Sequence, residues 1–125
     1  MIQATITTTL TLRSADELLD QADHLLSEGF ELAAGMLARS ALEVFLRELC
    51  GSHGLEPDAK RGQYSISDGY LVALRRGRVL TKRVAREVAR LWAIGSAVVH
   101  CDLDEPDAVR QLLADLRAFL GRVRP

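Results

Sequence analysis

The run ELAAGMLARSALEVFLRELC, residues 31–50, decides the architecture of this chain. Ala34, Leu37, Ala38, Ala41, Leu42, Phe45, Leu46 and Leu49 recur at helical spacing, which lays one apolar stripe along an α-helix and turns it toward a core. Gly51 and Gly54 supply the exit. Toward the N-terminus, SADE at 14–17 reads as a capping box, with the Ser14 hydroxyl accepting from the Glu17 N–H and the Glu17 carboxylate reaching back. Leu18, Leu19, Ala22, Leu25 and Leu26 then form a stripe, and Gly29 with Phe30 reads as a glycine stop whose apolar residue packs back on Leu25. Toward the C-terminus, residues 51–66 have no apolar period and form a loop. A short helix follows from about Ser67 to Arg76, ended by Gly77. Thr81 caps a longer helix with Val84, Val88, Leu91, Trp92 and Gly95 on one face and Arg83, Arg86, Glu87 and Arg90 on another. Pro106 lies in the first turn of a last helix carrying Val109, Leu112, Leu113, Leu116, Phe119, Leu120 and Val123.

These elements predict an all-α fold, a single antiparallel bundle of four to five helices over residues 14–125. Residues 1–13 stand apart. Ile2, Ala4, Ile6, Thr8, Leu10 and Leu12 alternate with Gln3, Thr5, Thr7, Thr9 and Thr11, which is strand spacing. With no second strand candidate in the chain, the segment either pairs with its own copy across a two-fold axis or lies along the bundle as an extended arm.

The 125 residues, 48% hydrophobic and 26% charged, have the composition of an ordinary globular domain that can bury a core without staples. The uncharged run at residues 91–99 is too short to cross a bilayer, and the N-terminus lacks the layout of a signal peptide, so a cytoplasmic protein with no membrane association is expected. Cys50 and Cys101 are expected to be reduced there. The net charge of -1 conceals a strong asymmetry. Three basic and ten acidic side chains fall in residues 1–59, against nine basic and two acidic in residues 60–90. The basic block is either a phosphate-facing patch, with Arg75, Arg76, Arg78, Lys82, Arg83 and Arg86 as the contacts, or a solvated face that complements the acidic half of the same or a second molecule.

Two segments carry a family resemblance: LARSALEVFLRELC at 37–50 and, after the loop and the basic helix, LWAIGSAVVHCD at 91–102. Together they resemble the HEPN superfamily, in particular the HEPN-like domains of unknown function in prokaryotic, often defence-associated, proteins. That resemblance implies a small helical bundle that forms a homodimer. Ribonuclease members of the superfamily place an arginine, then four to six residues, then a histidine, so that two copies of the motif meet at the dimer interface. His100 fits the histidine, but the positions open to the arginine are Ala93, Ile94 and Gly95, and none is basic. Cleaving RNA through its 2′-hydroxyl needs proton transfer near neutral pH and a fixed cation against the growing phosphate charge, so the missing arginine points away from catalysis.

A substitute site remains conceivable from spacing. Trp92, Ser96 and His100 lie in one row at intervals of four, and so do Arg39, Glu43 and Arg47 on the earlier helix. HEPN-like proteins tend to place an Arg and a Glu of the second helix near the histidine motif, and ARSALE at 38–43 matches that habit, so the resemblance implies that Arg39 supplies the cation and Glu43 orients His100, with Ser96 beside them; otherwise the second row is a surface ladder and His100 a helix-end residue. Cys50 with His53, or His100 with Cys101, makes a poor tetrahedral metal site, and no cofactor is implied. His24, among Asp20, Asp23 and Glu28, is expected to be exposed. With 5% aromatics, platforms for stacking single-stranded bases are few. Three functions follow: a non-cutting dimer that binds RNA, other nucleic acid or a partner protein; a metal-independent ribonuclease using His100 with Arg39; and a purely structural interaction domain.

Overall fold

The computed structural model describes residues 14–56, 66–100 and 105–124. These are helical with short turns, and none is in a strand: α1 (Ala15–Ser27), α2 (Glu31–Ser52), α3 (Ile66–Arg76), α4 (Lys82–Val99) and α5 (Pro106–Val123). The all-α expectation holds. The alternating segment at residues 2–12 lies outside the described residues, as do Cys101 and Asp102.

α2 is the hub, packed against each of the other four helices, while α1 and α4 also touch α5 and α3 touches α4. Its sequence explains why. The first half buries Ala34, Gly35, Ala38 and Ala41, which let neighbouring axes approach, and the second half buries Leu42, Phe45, Leu46 and Leu49, which fill space. Leu112, Leu113, Leu116, Phe119 and Leu120 of α5 close the core with Leu19, Leu74, Leu91 and Val98 from the other helices. Phe119 meets Phe45 edge to face, centroids 5.9 Å apart and rings inclined at 80°. Each such fully buried side chain stabilises the fold by about 1.5–3 kcal/mol.

The helix ends follow local chemistry. The Glu17 N–H donates to Ser14 Oγ at 3.2 Å, and the Val84 N–H to Thr81 Oγ1 at 3.2 Å, each answering an otherwise orphaned donor. α1, α2 and α3 share one type of exit, in which the chain turns back through a left-handed residue and two N–H groups return to the last turn. After α1 this residue is Gly29 (φ 87°), with Phe30 N–H on the Leu25 carbonyl at 2.9 Å. After α2 it is Gly54 (φ 66°), with Leu55 N–H on the Cys50 carbonyl at 2.9 Å. α2 therefore runs through Gly51 to Ser52, slightly beyond the exit read from the sequence.

α3 departs from the glycine rule. Its left-handed residue is Arg78 (φ 59°), with Val79 N–H on the Leu74 carbonyl at 2.9 Å, whereas Gly77 has ordinary backbone angles. Gly77 lies directly against Leu55: a Cβ there would lie 2.6 Å from Leu55 Cδ1, so that methyl would have to swing aside. Left-handed geometry costs an arginine about 1–2 kcal/mol, partly offset because glycine would gain freedom in the unfolded chain. Arg78→Gly is thus expected to raise stability by up to about 1 kcal/mol in a denaturant titration, and a clear loss would show that the arginine side chain itself holds the turn.

Ion pairs join α1 to α5. Arg117 reaches Asp20 and Asp23, each at 2.6 Å, and Arg124 reaches Asp16 at 2.7 Å. Arg122 pairs with Glu87, linking α5 to α4. Asp16, Asp20 and Asp23 of α1 are therefore met by arginines of α5 and its C-cap. Among the described residues no helix is long and apolar enough to cross a membrane.

Candidate functional site

The first candidate lies on the seam between α2 and α4. The helices approach closely because Gly35 sits against Val98, leaving no room for a Cβ, and because Gly95 sits against the Arg39 stem, where a Cβ would be 3.3 Å from Arg39 Cβ. Arg39 then rises along α4. Its guanidinium carbon lies 5.4 Å from the Trp92 ring centroid, and Nη1 donates to Ser96 Oγ at 3.4 Å. The cation–π contact contributes on the order of 0.5–1 kcal/mol and fixes the direction of a half-buried cation that has no carboxylate partner among the described residues. Of the rows read from the sequence, Arg39, Trp92 and Ser96 are brought together.

The rest of that set is not assembled. His100 is the C-cap of α4 and is exposed; its backbone N–H donates to the Ser96 carbonyl at 3.0 Å, and among the described residues its imidazole has no hydrogen bond or ion pair. Glu43 makes no bond to it. Glu43 and Arg47 instead act on Tyr70 of α3, whose phenol is held above its ordinary pKa chiefly by burial, with Arg47 pulling it down and Glu43 pushing it up. One row of α2 thus serves two neighbours, Arg39 toward α4 and the next two turns toward α3.

The second candidate is the corner where α3 ends and α4 begins. Arg75, Arg76 and Arg78 close α3, and Lys82, Arg83 and Arg86 open α4; all six are exposed. Arg75 is partly committed, its Nη1 donating to the Leu80 carbonyl at 2.8 Å across the turn. Arg78, Lys82, Arg83 and Arg86 form no ion pair among the described residues, while Arg90, farther along α4, lies 4.0 Å from Asp115. No acidic residue occupies the first turn of α4, so cations stand where the helix dipole is already positive. This arrangement works against helix stability and in favour of an anion.

Other groups offer less. Cys50 is buried, its thiol pushed up in pKa by that burial, and its Sγ lies 3.8 Å from the Tyr70 carbonyl, while His53 is exposed at the C-cap of α2. Among the described residues no group of three or more His, Cys, Asp or Glu could hold a metal ion. His24 is exposed, as its acidic setting suggested, 3.6 Å from Glu28. Asp20, Gln21, His24 and Leu25 line an open groove beside α1, with Asp20 already on Arg117. The sequence reading missed the part played by Gly35. Its signal is the small-residue cluster around 33–35 and 38, which tells of a close helix crossing but not of the partner.

Compared with protein-family models, with curated proteins and with solved structures, the chain has no match.

Proposed function

We propose that this chain is a HEPN-like helical module, working as a cytoplasmic homodimer, that holds nucleic acid by its phosphate backbone without cutting it. The resemblance described above supplies the dimer and the setting in prokaryotic defence. The observation that carries the binding is the α3–α4 corner: Arg78, Lys82, Arg83 and Arg86 are exposed and without an ion pair among the described residues, while Arg117, Arg122 and Arg124 are all bound to carboxylates. Four free cations releasing phosphate counterions give a logarithmic salt slope of about -3 to -4. Titrating labelled RNA and DNA at several salt concentrations measures it, and binding that ignores salt would reject this use of the corner.

The ribonuclease reading keeps one observation in its favour. Arg39 lies on the α4 surface beside Ser96, where a cation from another helix could stand in for the one that Gly95 lacks. Against it, His100 is exposed one turn farther on, with no hydrogen bond to Arg39 or Glu43. The remaining alternatives are a partner protein bound by the same dimer and a purely structural interaction domain, and the salt titration separates both by showing no nucleic-acid binding.

A further inference from the structure

The basic corner has charge but, among the described residues, no exposed aromatic ring beside it. Among the described residues, Phe45, Phe119 and Tyr70 are buried, Trp92 is half-buried beneath the Arg39 guanidinium, and Phe30 is exposed at the other end of the bundle, in the turn between α1 and α2. Val72 is exposed on α3 one turn before the arginines that close it, and Ala89 and Ala93 are exposed farther along α4. Proteins that grip single strands draw on base–aromatic stacking worth about 1–3 kcal/mol per base, and the described residues of this surface offer no ring for it. The chain also contains no asparagine, one of the residues suited to reading adenine edges.

Rigidity and charge density point the same way. Lys82 and Arg86 are one helical turn apart, about 6 Å along the axis, and the turn that holds Arg78 beside them is pinned by the Val79 and Arg78 N–H groups and by Thr81. A flexible strand would have to be ordered on this fixed platform with no stacking to offset the entropy, whereas a duplex arrives already ordered. A duplex also presents about one charge per 1.7 Å of axis against one per 3.4 Å for each strand.

From this juxtaposition of clustered cations with no exposed aromatic ring beside them among the described residues, we infer that the corner takes double-stranded nucleic acid, held by its phosphates with little regard to sequence; the inference rests on the nucleic-acid reading above. The test is a fluorescence-anisotropy titration of the full chain with a duplex DNA, a duplex RNA and the component single strands, all about 16–20 nucleotides long, with Arg83→Glu/Arg86→Glu and Arg110→Ala alongside. The duplexes should bind at least about tenfold tighter than either single strand, the double reversal should abolish the difference, and Arg110→Ala, which removes an α5 cation already paired with Asp107, should change nothing. Comparison of the two duplexes says whether DNA or RNA is the source of the phosphates. Single strands bound as tightly as duplex, with the same loss on reversal, would overturn the duplex inference and leave the nucleic-acid reading standing. Duplex binding that survives the reversal overturns the assignment to this corner. If no nucleic acid binds, the underlying reading falls and the inference with it.

Discussion

Lys82→Glu together with Arg83→Glu should weaken nucleic-acid binding by about a hundredfold or more at low salt while making the protein more stable. The two signs have separate origins. At about 50 mM salt each phosphate contact contributes on the order of a decade of affinity through counterion release, so losing two removes about two decades before any repulsion is added. Stability moves the other way because both residues occupy the first turn of α4, which has no acidic residue. Placing carboxylates there is favourable by about 0.3–1 kcal/mol each, and the Lys82→Glu carboxylate would also gain Arg86 as an i,i+4 partner worth a few tenths more. Thermal melting should therefore rise by several degrees for about 1 kcal/mol. Had the cations been kept for the fold, the same change would lower the melting temperature, and that result would contradict the functional account of the corner.

Gly35→Ala tests the approach of α2 to α4 that carries Arg39 to Ser96. Helix propensity alone would make this change stabilising by about 1 kcal/mol, since glycine in a helix interior costs that much relative to alanine. The new Cβ, however, would fall 2.1 Å from Val98 Cγ1, and Val98 is fully buried, with nowhere to retreat. Overpacking of this kind costs about 1–3 kcal/mol or more, so a net loss of about 2 kcal/mol is expected by denaturant titration. Val98→Ala removes the obstructing methyl. In that background Gly35→Ala should be close to neutral, a coupling of at least about 1 kcal/mol between the two sites. A stabilised single variant would mean that the helices are farther apart than described.

The parts of the fold that were legible in the sequence are those governed by local rules. The Ser14 and Thr81 caps, the Gly29 exit and the α5 stripe follow from short-range hydrogen bonding and from one apolar face, and these are where the structure has them. Gly77 was legible as the end of α3 but for a different reason, because the left-handed backbone falls on Arg78 while Gly77 makes room for Leu55, a contact from another segment. Arg39 illustrates the limit at the site. Its spacing with Glu43 and Arg47 showed that they share a row, yet a row on the hub helix faces two neighbours, and only the packing of Gly35 on Val98 and of Gly95 on the Arg39 stem decides that Arg39 goes to α4. The basic block was visible as a count of charges; that Arg75 turns back on the Leu80 carbonyl and Arg90 toward Asp115, while Arg78, Lys82, Arg83 and Arg86 form no ion pair among the described residues, depends on the packing of α3, α4 and α5.

The central claim, that the ligand surface is the α3–α4 corner and that the chain binds without cutting, is tested most directly by incubating the purified protein with mixed RNA in chelator. Binding and strand integrity are read together for the wild type, Arg83→Glu/Arg86→Glu, Arg39→Ala and His100→Ala. The account predicts intact RNA throughout, binding lost only in the corner variant, and binding within about threefold of wild type in the Arg39 and His100 variants, which remove none of the exposed cations of the corner. Cleavage by the wild type that disappears in both Arg39→Ala and His100→Ala, with their folding intact, would contradict it and place the function at the seam.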